Sequence, residues 1–322
     1  MANEFTLADY ERTASDPLSK AIARTWREAS PILDMLSFKT SGQLSQEFLR
    51  FNALNNIPWR NIGDSYTQSK VDPEKIAERL FFMGAKIDVP KEYVKADSLV
   101  DIRAAQEEAV MKGVAYAFND AFFNNSPLVD EKALVGLWYR VKNDLGSGQY
   151  FDANLDISPD TSVTNVAHKF FDKIDQLLSL VDGEHSQKVL FMGKTAWLRF
   201  QSLCRQSSIL ATTKDQLGRQ FITYGEGGPK IVDAGYKYDQ TTAILGDAEN
   251  GITALTGGSD SSIYCVRFGE PFLAGWCQTM PTAEDVGLLE DRVNYRTVVD
   301  FSPGLYMVNP RSIGLAYGWT AA

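Results

Sequence analysis

Gly193-Lys194-Thr195 follows an apolar run and opens a helical pattern, the setting in which a phosphate-binding loop turns its amides toward a nucleotide. That loop needs a glycine five residues before Gly193. Lys188 stands there, and Val189 to Met192 read as core strand, so the run reads as a strand-to-helix turn with Lys194 or Thr195 at the helix start. His168 and His185 are the only histidines, which deprives general acid-base and zinc chemistry of their commonest side chain. Cys204 with His185 is the one nucleophile pair to weigh. Cys204 sits between Leu203 and Arg205 in a helical pattern and reads as a small buried thiol. The glycine clusters Gly225-Glu226-Gly227-Gly228 and Gly257-Gly258 lack dinucleotide-loop spacing and read as turns. The carboxylate pairs Asp233 with Asp239 and Asp156 with Asp160 fall in hydrophilic, turn-rich stretches and read as solvated loops. No catalytic, cofactor-binding or metal-binding residue is therefore expected, and no cofactor.

The bulk properties narrow the classes further. Acidic residues outnumber basic ones 41 to 32, for a formal charge of -9, so the average field repels nucleic-acid backbones and anionic membranes. The three cysteines are far apart and odd in number, which argues against a secreted disulfide framework and for a reducing compartment. Met1 to Asp9 has neither the basic nor the apolar region of an export signal, and no apolar run approaches the ~18 residues of a membrane span. No membrane association is expected.

The positioning elements segregate along the chain into an α+β pattern. Asp16-Pro17 starts a helix whose Leu18, Ile22, Trp26, Ala29 and Leu33 share a face, and Pro31 kinks or ends it. No neighbouring helix is available to that stripe, so it must dock elsewhere. From Phe48 to Val94, short apolar pieces broken by Gly, Pro and Asn suggest an extended excursion with legs at 48–57 and 80–89. A capping-box-like Ser98 to Asp101 then opens a rod roughly 40 Å long at ~1.5 Å per residue. Its small-residue face, Ile102, Ala105, Ala109, Gly113, Ala117, Ala121 and Phe122, is expected to lie on a sheet, and Asn124 to Pro127 stop it.

A Gly/Asp-rich passage at 143–159 leads to a helix carrying Val163, Val166, Phe170, Ile174, Leu177, Leu178 and Val181, then a strand at 188–192 and a helix at 194–206. Strands are expected at 220–224, 230–232, 241–245, 262–268, 272–277, 296–301 and 305–308. The run from Thr297 to Trp319 reads as two strand-like pieces hinged at Ser302-Pro303-Gly304. Aromatics in pieces without a core of their own, Trp59 above all, are candidate anchors between subunits; Trp138 and Trp276 fit a core equally well.

Arm, extended excursion, long lone helix and compact strand-rich lobe, in that order, resemble the major capsid protein of tailed bacteriophages, the Hong Kong 97-type fold that encapsulins share. The resemblance covers essentially the whole chain. Asn55 to Arg60 and Leu80 to Val89 look like the legs of the family's E-loop, Asp101 to Asn125 like its spine helix, and Arg296 to Ile313 like the closing P-domain strand passing into the last A-domain strand. The implied division is an N-terminal arm at 1–46, an E-loop at 47–96, a P-domain at 97–160 and 278–301, and an A-domain at 161–277 and 302–322. With so short an arm no cleavable scaffolding region is expected, and no lysine and asparagine are matched to the isopeptide crosslink that some members form.

The resemblance implies a shell subunit without enzyme activity, tiled as hexamers and pentamers into an icosahedral virion capsid around double-stranded DNA. The arm and E-loop would lie over neighbours, which makes Leu18, Ile22, Trp26, Leu33, Trp59 and Arg60 the candidate intersubunit contacts. Implied partners are other copies of the chain, portal and scaffolding proteins, a decoration protein as an open question, and packaged DNA touched weakly and without sequence specificity. Assembly is expected in the host bacterial cytoplasm. Two alternatives stay open: an encapsulin-like nanocompartment around a cargo protein, and, from another class, a cytoplasmic hydrolase using Cys204 or the Gly193-Lys194-Thr195 turn.

Overall fold

The computed structural model describes residues 5–51, 56–66, 68, 70–95, 102–157, 163–207, 210–214, 220–245, 260–270, 272–290 and 292–320. Gly257-Gly258, Asp160 and the expected helix start at 98–101 lie outside them.

Three short helices open the chain: α1 (Leu7–Thr13), α2 (Pro17–Ala29) and α3 (Pro31–Met35). Thr6 and Asp9 form a capping box, Asp16 accepts from the Ser19 amide ahead of Pro17, and Ser30 accepts from the Leu33 amide ahead of Pro31. Pro31 thus ends one helix and starts the next. Leu7, Ile22, Trp26, Ile32 and Leu33 are buried in the chain's largest apolar core, where Trp26 meets Phe301 edge-on with ring centroids 5.3 Å apart. This corrects the expectation that the stripe lies on a neighbour: Ile22, Trp26 and Leu33 pack on their own body, and Leu18 is half-buried. The expectation of no neighbouring helix is also corrected, since α1 packs against α2 and Glu11 pairs with Arg27, while α5 and Phe301 are partners distant in sequence, which helical periodicity cannot reveal.

Next come β1 (Phe38–Thr40), β2 (Ser45–Arg50), β3 (Glu74–Arg79), β4 (Met83–Pro90), α4 (Lys91–Lys95) and the spine helix α5 (Ile102–Asn124). The ladder runs from Ser45 opposite Arg79 to Arg50 opposite Glu74, so the second leg of the ribbon is β3; the 80–89 stretch instead forms β4 and pairs with a late strand. The face of α5 also differs from expectation. Met111, Ala115, Phe118, Asn119, Phe122 and Phe123 are buried while Ala105, Ala109 and Ala117 are exposed, because burying a large apolar side chain contributes about 1.5–3 kcal/mol and a methyl group far less.

The remaining elements are α6 (Leu137–Tyr139), which runs into a π-turn at Arg140–Leu145, then β5 (Tyr150–Asp156), α7 (Val163–Leu180), β6 (Lys188–Met192), α8 (Lys194–Ser207), β7 (Leu210–Lys214), β8 (Gln220–Tyr224) and β9 (Lys230–Asp233). They are followed by β10 (Asp260–Arg267), β11 (Leu273–Cys277), β12 (Thr282–Leu288), β13 (Asn294–Phe301), β14 (Pro303–Met307) and β15 (Ile313–Thr320). β5, β7 and β12 were not expected. The expected strand at 241–245 is absent as a strand; Ala243 makes only an isolated bridge to Tyr236.

Seven strands form the main sheet in the order β5-β15-β10-β6-β9-β8-β7, beside three smaller sheets, β12-β13-β4, β1-β11-β14 and β2-β3. β6 is buried throughout because alternate residues enter different cores: Val189 and Phe191 face the arm helices and α5, whereas Leu190 and Met192 face α7 and α8. The terminal run is three strands rather than two. β13, β14 and β15 lie in three different sheets and tie them together. Gly304 at the first switch is required by packing, since a Cβ there would stand 2.3 Å from Trp276 Nε1.

Candidate assembly surface

The residues singled out for chemistry are committed to structure. Gly193 does sit between β6 and α8, but its missing side chain admits the Leu245 carbonyl, 1.7 Å from where a Cβ would stand. Backbone therefore fills the space a phosphate would need. Lys188 is buried and donates to the Leu178 carbonyl at 2.9 Å, while Arg311 donates to the Ser179 and Leu180 carbonyls at 2.9 and 3.2 Å. These cations satisfy the open carbonyls at the C-terminus of α7, where the helix dipole favours positive charge.

Cys204, Cys265 and Cys277 are buried, and desolvation pushes each thiol up to about 12, far from nucleophilic thiolate. His168 and His185 are exposed. Asp233 accepts from the Gly235 amide; Asp239 accepts from the Thr242 hydroxyl and amide, which pull it down to about 2. Both carboxylates are turn-formers. Among the described residues no three His, Cys, Asp or Glu side chains are grouped to hold a metal ion.

Unsatisfied apolar surface lies at the extremities. At the far end of the ribbon, Trp59 and Ile62 have relative exposures of 102% and 104%, with Ile57 and Tyr66 also in solvent. A local scaffold holds them out. Asp64 accepts from the Asn61 amide at 3.1 Å, Gly63 takes a φ of +97°, and Arg60 donates to the Asp64 carbonyl at 3.0 Å and the Tyr66 hydroxyl at 3.1 Å with its guanidinium 4.3 Å from the Tyr66 ring centre. Arg60, expected as an intersubunit contact, thus braces its own loop, while Trp59 has its whole side chain available.

Elsewhere Phe82, after β3, lines a cleft with Val129, after α5, both exposed; Leu128, Tyr93 on α4, and Val286, Leu288 and Val293 at the β12–β13 hairpin are exposed as well. The Lys91 ammonium donates to the Arg292 carbonyl at 2.7 Å and ties α4 to that hairpin. Exposed apolar patches of this kind mark interaction surfaces. Sequence reading picked out Trp59 alone; Ile57, Ile62 and Tyr66 share its signal, large apolar residues without periodicity in a Gly/Pro-broken stretch.

The base of the ribbon is fixed by side chains. Phe48, Arg50, Ile76 and Glu78 share the inward face of β2 and β3. Phe48 stacks on Tyr306 with centroids 4.2 Å apart and planes 1° from parallel. Glu78 receives both guanidinium nitrogens of Arg140, Nη2 at 2.9 Å, and Arg140 also donates to the Val135 and Leu305 carbonyls. Arg140 is fully buried; burial works against its charge, and Glu78 more than offsets it, so its pKa is raised.

No family model and no curated protein matches this chain. Solved structures do. The capsid of a native GTA particle is similar with a TM-score of 0.59 at 13% identity, covering 91% of this chain and 90% of that one. The SrpI encapsulin complex from Synechococcus elongatus is similar with a TM-score of 0.56 at 14% identity, covering 98% and 96%. The procapsid of satellite phage P4 follows with a TM-score of 0.52 at 10% identity, covering 94% and 99%. Over nearly its whole length, therefore, the chain has the Hong Kong 97-type fold common to these capsids and encapsulins.

Proposed function

We propose that this chain is a major capsid protein, a non-enzymatic subunit that assembles as hexamers and pentamers into an icosahedral shell around double-stranded DNA. The observation that carries the reading is the combination of a shell-type fold over nearly the whole chain with apolar side chains held out at its extremities, above all Trp59 and Ile62. On this reading β2–β3 with its loop is the E-loop, α5 with β4, β12 and β13 is the P-domain, and the seven-stranded sheet with α7 and α8 is the A-domain. The A-domain then begins before β5, ahead of the boundary placed at 160, because β5 pairs with β15. Portal and scaffolding proteins would be partners, the virion the final location, and the host cytoplasm the place of assembly.

The test is to express the chain and image it. Closed particles of megadalton mass are expected; a monomer or small oligomer under all assembly conditions contradicts the reading. An encapsulin-like compartment is the second reading, favoured by the match to the SrpI complex over 98% of this chain. Particle content separates the two: DNA for a capsid, a cargo protein for a compartment.

A further inference from the structure

The β2–β3 ribbon pairs with no other strand among the described residues, so no ladder of backbone hydrogen bonds sets its direction relative to the body. Single backbone bonds flank its base, from the Ser41 amide to the Cys277 carbonyl and from the Phe81 amide to the Pro303 carbonyl, and Arg79 donates to the Glu131 carbonyl beside it. Two further kinds of contact stand on the inward face of the strands themselves. Phe48 on Tyr306 and Trp276 is an apolar contact, which resists separation but tolerates sliding and rocking. Glu78 with Arg140 is a planar, two-pronged contact between rigid groups, which fixes angle as well as distance.

Arg140 is itself immobilised. It begins the π-turn after α6, a helix irregularity of the sort that recurs at functional sites, and two more of its donors are taken by the Val135 and Leu305 carbonyls, the latter on β14. Arg50, one strand over, is buried and reaches the Met307 carbonyl at 3.4 Å, also on β14. The ribbon base is thus referenced to one strand of the body through charged groups. For stability alone this is a poor choice, since an apolar pair of similar volume commonly does as well or better than a buried ion pair. Directionality is what the ion pair adds.

We infer that Glu78 and Arg140 are positioning residues that lock the angle at which the E-loop leaves the body. Because the loop carries Trp59 and Ile62 at its end, a small change of angle at the base moves that apolar tip by a much larger distance. On the shell reading, on which this consequence alone rests, the lock sets the curvature at which copies meet and hence the particle size.

The test places spin labels on Lys75→Cys in β3 and Gln106→Cys in α5, both exposed, and measures the distance distribution in unassembled subunits. The three native cysteines are buried and leave labelling selective. Arg140→Lys, which keeps the charge and loses the fork, and the double variant Glu78→Leu with Arg140→Met, which keeps volume and loses the charges, are compared with the parent. The expected result is a single narrow distance in the parent and at least a twofold broader distribution in both variants, with the thermal midpoint held within a few degrees and particles of mixed diameter. An unchanged width in the folded double variant overturns the lock; should that variant not fold, Arg140→Lys alone decides in the same way. If the parent forms no particles, the shell reading fails while the distance distribution still judges the lock.

Discussion

The seven-stranded sheet and the two-stranded ribbon are built from the same polymer on opposite terms. In the sheet, β6 and β10 present alternate residues to two cores, so Leu190 and Cys265 find partners under α7 and α8 while Phe191 and Tyr264 find theirs on the other side. In the ribbon, only Phe48, Ile76 and the charged pair at the base face the body; Leu49 on the opposite face and Trp59 and Ile62 at the tip are left in water. Two strands with one half-covered face have too little apolar surface for independent stability. The difference teaches where this chain ends as a self-sufficient object: its body completes its own cores, and its extremities carry apolar surface that, on the proposed shell reading, another copy would cover.

The sharpest way to break that comparison is to injure each region separately. Trp26→Ala removes a fully buried side chain from the body core and is expected to destabilise the subunit by about 3–5 kcal/mol, a loss visible as a large fall in thermal midpoint before any assembly is attempted. Trp59→Ala with Ile62→Ala is expected to leave that midpoint within a degree or two while strongly reducing particle yield, since truncating an interface anchor costs about 2 kcal/mol or more per copy. A common fall in both quantities for the tip variant would erase the distinction.

Smaller effects sharpen the picture of the body. Asp16→Ala removes the N-cap of α2 and should cost about 1 kcal/mol by denaturant titration. The buried cysteines supply a pH test. Their folded pKa values, about 12, lie above the ordinary thiol value of 9.0, so their contribution is fully present below pH 9.0 and is lost as pH rises from there toward 12. Alkylation at pH 8 should therefore be slow in the native protein and at least a hundredfold faster once it is unfolded; fast native labelling would show the body opening where the structure holds it closed.

How much of this was legible in the chain depended on whether the deciding partner was local. The cap at Asp16 and the break at Pro31 act within a few residues, and the two ends of α2 followed from them. β6 was legible because an unbroken apolar run has few other uses. β3 was not: four of the six residues from Glu74 to Arg79 are charged, and the residues it turns inward, Ile76 and Glu78, make no apolar alternation to detect. The stripe of α2 is plain in the sequence, but α1 beside it is too short to show a periodic face and Phe301 is far along the chain, so neither partner was legible. Glu78 and Arg140, 62 residues apart, left no local signal. Of the expected contacts, Trp59 and Arg60 are exposed, and what marks Trp59 is a large aromatic in a segment with no core to join.

The measurement closest to the central claim is oxidative footprinting of the tryptophans in free subunits and in assembled particles. Trp59 is expected to be oxidised rapidly in the subunit and at least tenfold more slowly after assembly, with Trp26 slow in both states. Equal oxidation of Trp59 in the two states would contradict the account, because the side chain most openly offered to a partner would then have none.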